Sequence, residues 1–170
     1  PLNEKFLFFP LHVQPERNID IDAPYYSNQL EVIKNIARSL PIQYKLYVKE
    51  HNSMKFRNWR SKSFYNSILN LPNVKLIHPS SNPLGIIKNC SLVITIAGSA
   101  GLEAAFYEKP TIVLADVSYS NLSCVKKINN IEDLPNAIKE SLTLRADPNE
   151  LRDFINYQEK NSFEFDEVEL

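Results

Sequence analysis

A chain of 170 residues, 44% hydrophobic and 23% charged, has the apolar content for one compact domain and little length for a second. Its net charge of -1 creates no field that would draw nucleic acid or a membrane surface, so partners read by bulk electrostatics are excluded. Cys90 and Cys124 are far apart and lack metal-ligand spacing, the usage of a reducing compartment, no apolar run reaches membrane-spanning length, and no signal peptide is visible.

In chain order, KFLFF (5–9) is an apolar run closed by Pro10 and predicts a buried strand. A polar, proline-bearing loop then runs to Tyr26. Ser27 is the predicted cap of a helix with its apolar stripe at Leu30, Ile33, Ile36, Ala37 and Leu40, stopped by Pro41. YKLYVK (44–49) predicts the second strand. Phe56, Trp59, Phe64, Ile68 and Leu71 predict a less regular helix over 56–71, and VKLIH (74–78) the third strand. Pro83 to Lys88 suits a short helix with proline in its first turn. LVITI (92–96) and TIVLA (111–115) predict two further strands, and SCVKKI (123–128) a short edge strand. Helices are predicted over 133–144 and 148–160, before an acidic, frayed tail, FEFDEVEL.

Alternation of strand and helix predicts an α/β fold, a doubly wound, mostly parallel Rossmann-like sheet of about six strands with helices on both faces. The strands are continuous apolar runs, as a sheet covered on both sides requires. Residues 1–145 make up this domain and 146–170 a C-terminal helix and tail. The chain opens on Pro1 rather than Met, as a piece of a longer protein would.

Two of only three glycines sit in Ala97-Gly98-Ser99-Ala100-Gly101, between a predicted central strand and a helix. Ligands of doubly wound sheets bind outside the carboxyl ends of the strands, at the switch point in strand order. Gly98, Ser99, Ala100 and Gly101 at that corner would let backbone N–H groups approach a phosphate, and Glu103, one turn on, would reach a ribose. Tight helix–strand packing with Ser99 as a plain cap remains open beside that reading. Two other strands end in polar groups, His12-Val13-Gln14-Pro15-Glu16 after the first and Lys49-Glu50-His51 after the second. Lys49 is a phosphate counter-charge, and Glu16 and Glu50 are acceptors for a sugar or for orienting a histidine. His78 leads into Pro79-Ser80-Ser81-Asn82, a polar loop suited to a base edge. The histidines are dispersed and form no metal-ligand pattern, and no Walker loop or serine-nucleophile elbow occurs. Lys55-Phe56-Arg57-Asn58-Trp59-Arg60 is read as a solvated helix face, and Tyr25-Tyr26 as packing residues.

FFPLHVQPE, LYVKEH and ITIAGSAGLEAAFYEKPTIVL together resemble the C-terminal, nucleotide-binding half of capsule polysaccharide glycosyltransferases, the bacterial Kdo-transferase type with a GT-B fold. The likeness spans roughly residues 5–143. Asn52 stands where that family usually has proline after the histidine, and Glu108 where glycine commonly precedes Lys-Pro.

The resemblance implies a nucleotide-sugar donor, CMP-activated (CMP-Kdo, for instance) rather than UDP-activated, with no separate cofactor and no metal. His12, Gln14, Glu16 and Glu50 would line the donor pocket, with Ser80 and Ser81 at the base. Lys49 and His51 would face the phosphate beside Gly98, Ser99, Ala100 and Gly101, and Glu103 would hold the ribose. His51 and Glu16 are the candidate catalytic groups. A polysaccharide or glycolipid acceptor would be held by a domain outside this sequence, so the chain alone would bind a nucleotide weakly and transfer nothing. The implied location is the cytoplasm, with room for peripheral attachment to the inner membrane face, and no nucleic-acid partner. A sugar-nucleotide 2-epimerase, a polyol-phosphate transferase and a non-catalytic binding module on the same half-fold are the alternatives.

Overall fold

The computed structural model describes residues 4–56 and 59–162, and the predicted acidic tail at 163–170 lies outside them. Six parallel strands form one sheet: β1 (Lys5–Pro10), β2 (Tyr44–Lys49), β3 (Val74–Ile77), β4 (Leu92–Thr95), β5 (Thr111–Val113) and β6 (Val125–Lys127). Their spatial order is β3-β2-β1-β4-β5-β6, and β1 pairs with β2 along its whole length, from Lys5 opposite Tyr44 to Pro10 opposite Lys49. Order therefore reverses between β1 and β4, where the crossovers leave in opposite directions.

Phe6 to Phe9 are apolar without a break because successive side chains enter different cores. Leu7 and Phe9 join one cluster with Ile33, Ile36, Ile68 and Ile138, while Phe6 and Phe8 join another with Ile87, Val93 and Ala104. Helices α2 (Gln29–Ser39), α3 (Lys62–Leu69) and α6 (Leu134–Ser141) contribute to the first, and α4 (Pro83–Asn89) and α5 (Ala100–Ala105) to the second. α7 (Pro148–Lys160) packs Leu151, with Phe154 and Ile155, on a third cluster containing Val113, Tyr119, Leu122 and Val125. No helix among the described residues is long and apolar enough to cross a membrane.

Several boundaries depart from the sequence reading. Asn28, not Ser27, caps α2, its side chain accepting the Glu31 N–H at 3.3 Å. The helix predicted over 56–71 is instead a 3-10 turn, Asn52–Phe56, followed by α3, because Ser61 Oγ accepts the Phe64 N–H at 3.2 Å and starts the helix there. Trp59 consequently lies outside any helix, 52% exposed. The predicted loop before Tyr26 contains the short helix α1 (Arg17–Asp20), where Asp20 accepts the Glu16 N–H at 2.9 Å. The helix predicted from 133 begins as a 3-10 turn, Ile131–Asp133. Tyr26 packs as expected, but Tyr25 is 79% exposed.

Candidate functional site

A cavity of about 360 Å³ opens at the carboxyl ends of β1, β2 and β4. Its walls include His12 and Glu16 from the segment after β1, Lys49, Glu50, His51 and Asn52 from the end of β2, and Gly98, Ser99, Ala100 and Glu103 from the β4–α5 corner. Pro83 and Ile87 of α4 and Asn18 of α1 complete much of the rim. The switch point thus gathers residues separated by up to about ninety positions.

His12 is held from several directions. Gln29 Oε1 accepts its backbone N–H at 2.8 Å, and Gln29 Nε2 returns a bond to its carbonyl at 3.0 Å. Its ring nitrogen Nε2 lies 3.1 Å from Thr95 Oγ1. Burial, followed by the electrostatic influence of His51 and Arg60, lowers its pKa to about 4, so the ring is neutral at physiological pH. Thr95 Oγ1 also accepts the Gly98 N–H at 3.1 Å, which ties the histidine to the glycine corner. A Cβ on Gly98 would stand 2.9 Å from both His12 Cε1 and Thr95 Oγ1, so only glycine permits this approach.

Lys49 is buried, with Nζ 3.3 Å from the Glu50 carbonyl and 3.4 Å from Asn52 Oδ1. Asn52, at the position of the expected proline, therefore supplies a lysine partner that proline could not. His51 is exposed, and its Nδ1 accepts the Ser53 N–H at 3.2 Å. Ser99 stands at the N-cap position of α5, but its Oγ donates to Glu103 Oε1 at 2.9 Å and makes no capping bond to the helix backbone.

Glu50 borders the cavity, but its carboxylate is committed inward. It accepts from Arg60 Nε at 3.0 Å, Tyr65 Oη at 2.9 Å and the His51 backbone N–H at 2.8 Å. Burial and the bond to Glu50 push the Tyr65 hydroxyl up to about 12. Arg60 also donates to the His12 carbonyl and, at 3.2 Å, to Gln14 Oε1. The sequence reading put Arg60 on a solvated face; its side chain is 11% exposed and crosslinks the segments after β1 and β2. Arg57 and Asn58 of the same run lie outside the described residues.

The remaining candidates stand apart from the cavity. Gln14 is not in its wall: its amide donates to Ser27 O at 2.9 Å and Asp20 Oδ1 at 3.2 Å and accepts from Gln29 at 2.8 Å as well as from Arg60. It is a brace for the loop after β1. Ser80 and Ser81 follow β3 at the sheet edge, where Ser80 Oγ lies 2.6 Å from His78 Nδ1 and Ser81 N–H bonds the His78 carbonyl at 3.0 Å. Gly101 serves packing, since a Cβ there would stand 2.5 Å from Tyr119 Oη and 2.8 Å from Thr111 Cγ2. The two glycines of the corner thus part, Gly98 at the cavity and Gly101 in the core. Arg60, Thr95 and Gln29 escaped sequence reading because nothing in their local pattern signals the partners they meet. Among the described residues no group of three or more His, Cys, Asp or Glu is placed to hold a metal ion.

Strand order 3-2-1-4-5-6 and a polar cleft at its switch point define a doubly wound, Rossmann-like domain with the fold of one half of a GT-B protein. Residues 1–130 match the family described as capsule polysaccharide biosynthesis protein, and the chain belongs to that family. No curated protein matches it. Among solved structures it is similar to a KpsC β-Kdo 2,7 transferase from Thermosulfurimonas dismutans, at 19% identity and TM-score 0.59 over 76% of this chain and 40% of that one. It is also similar to UDP-GlcNAc 2-epimerase from Methanocaldococcus jannaschii, at 21% identity and TM-score 0.61 over 83% of this chain and 40% of that one. The same epimerase in complex with UDP-GlcNAc and UDP matches at 19% identity and TM-score 0.59, over 92% of this chain and 45% of that one. The chain therefore spans about two fifths of the length of these proteins, and the likeness to them is one of fold.

Proposed function

We propose that this chain is the donor-binding domain of a glycosyltransferase that builds a bacterial capsular polysaccharide. The observation that carries the proposal is the convergence of Lys49, His51, His12, Glu16, Ser99 and Glu103 on one cleft at the β1/β4 switch point. A nucleotide sugar is the ligand whose parts match those groups. Its phosphate takes the side formed by the Lys49 ammonium and the His51 ring, and its ribose hydroxyls take the Glu103 carboxylate. Positive charge fixed in place before reaction stabilises the negative charge that builds on the departing nucleotide phosphate, and its preorganisation makes it effective. His51 and Glu16 are the groups on this side of the cleft assigned to the reacting atoms.

The CMP-activated class, CMP-Kdo for example, is favoured by the Gln14-Pro15-Glu16 and Lys49-Glu50-His51 pair of motifs. The acceptor, a polysaccharide or glycolipid, belongs to a second domain facing this cleft. A donor of this kind places the reaction in the cytoplasm, at the inner face of the membrane for a lipid-linked acceptor.

The test is a calorimetric titration of the protein with CMP, UDP and UMP, repeated on Lys49→Ala and Glu103→Ala. Preferential CMP binding, lost in both variants, is the expected result. Preference for UDP would move the assignment to the epimerase-like class. Absence of binding to any of the three at millimolar concentration would overturn the donor-site assignment.

A further inference from the structure

The ring of His12 is 8% exposed and forms part of the cleft wall. Its Nε2 is paired with Thr95 Oγ1, and among the described residues its Nδ1 has no hydrogen-bond partner. Thr95 is fully buried, and its hydroxyl oxygen is already an acceptor for the Gly98 N–H. A threonine hydroxyl has one proton to give. If His12 Nε2 carried hydrogen, Thr95 Oγ1 would accept twice, and its own buried proton would have no acceptor, which is the costly arrangement. If Thr95 donates to Nε2, every group in the Gly98–Thr95–His12 chain is satisfied. The proton of the neutral ring then resides on Nδ1. The ring lies so close to the corner that a Cβ on Gly98 would stand 2.9 Å from Cε1.

We propose that Thr95 is a positioning residue that fixes His12 as the Nδ1-protonated tautomer, so that the ring presents one N–H donor to an acceptor oxygen of the bound nucleotide sugar. This rests on the reading of the cleft as a nucleotide-sugar site and assigns His12 a specific bond within it. The ring acts there as an uncharged donor, in contrast to Lys49, because burial, with His51 and Arg60 beside it, holds its pKa near 4. A neutral donor of fixed direction discriminates by geometry, where an ammonium attracts any anion.

The experiment is ring 15N NMR of the histidine-labelled protein at pH 7, with His12 assigned by difference against His12→Gln, on wild type, Thr95→Val and Thr95→Ser. Wild type and Thr95→Ser are expected to show a protonated Nδ1 and an unprotonated Nε2, and Thr95→Val to lose that preference. CMP affinity is expected to fall roughly five- to tenfold in Thr95→Val, the share of one neutral hydrogen bond, and to stay within twofold of wild type in Thr95→Ser. An Nε2-protonated ring in wild type, or Thr95→Val with unchanged tautomer and affinity, would overturn the inference while leaving the donor site standing. A wild-type protein that binds none of CMP, UDP and UMP would remove the donor site and with it the ligand assigned to the Nδ1–H.

Discussion

Arg60 Nε lies 3.0 Å from Glu50 Oε2, with the two side chains only 11% and 2% exposed. The same guanidinium reaches the His12 carbonyl and Gln14 Oε1, so one residue braces two walls of the cleft. Removing one member of a buried pair leaves the other charged without compensation. Arg60→Ala should therefore destabilise the fold by about 3 kcal/mol, read by urea denaturation. Arg60→Met combined with Glu50→Gln, which removes the stranded charge, should recover at least half of that loss. A single-variant loss below about 1 kcal/mol would show that the pair is solvated in solution.

Stability should fall on acidification through His12. Its folded pKa is lowered to about 4 from the ordinary 6.5, so the unfolded chain takes up a proton that the folded one refuses. The contribution is complete above pH 6.5, declines as pH falls, and is exhausted below about 4. A shift of this size corresponds to about 3 kcal/mol. Arg60 faces the ring as a cation with His51 beside it, and Lys49, Glu16 and Glu103 share its cavity. Denaturation at pH 7, 5.5 and 4.5, wild type against His12→Gln, should show a steeper decline in wild type. Parallel curves would refute it.

Glu108 has φ of 55°, the sole non-glycine residue with positive φ among those described. The family's glycine at this position is thus a matter of backbone conformation rather than of the cleft, since the left-handed region costs a side chain about 1 kcal/mol or more. Glu108→Gly should be stabilising by about 0.5–1 kcal/mol, the strain relieved less the entropy glycine loses on folding. A thermal melt that moves downward would contradict this.

The two corner glycines should separate in their effects. Gly98→Ala sets a methyl group against His12 and Thr95, so nucleotide affinity should suffer well beyond any change in stability. Gly101→Ala drives the methyl group into Tyr119 and Thr111, an overpacking worth about 1–3 kcal/mol of stability. Its effect on affinity should be confined to what partial unfolding explains. Equal loss of affinity in the two folded variants would mean that the whole corner lies against the ligand.

The sheet was legible because β1, β4 and β5 announce themselves as apolar runs and the helices between as apolar stripes bounded by prolines. The glycine corner was legible because so few glycines exist. Arg60 was not. Its partner is ten residues away, and only the fold-back of the segment between β2 and α3 brings Glu50 to it. Gln14 looked like a wall residue because a motif marks it, whereas its inward amide is saturated by partners as distant as Arg60. Thr95 looked like one more β-branched strand residue, and its hydroxyl gains meaning only once His12, 83 positions earlier, stands beside it. Periodicity reveals which face is buried, but not which polar atoms meet inside.

The cleft draws its walls from distant parts of the sequence: His12 and Lys49 come from the first third of the chain, and Ser99 and Glu103 follow β4 in the middle third. Because β1 and β4 are neighbours in space but not in order, no early fragment of the chain contains the full set of cleft walls. A nucleotide would then recognise only a chain whose sheet has closed across its centre. It would act as a reporter of completed folding, and at a hundredfold excess over its dissociation constant would shift the folding equilibrium by about 2.7 kcal/mol toward the finished domain.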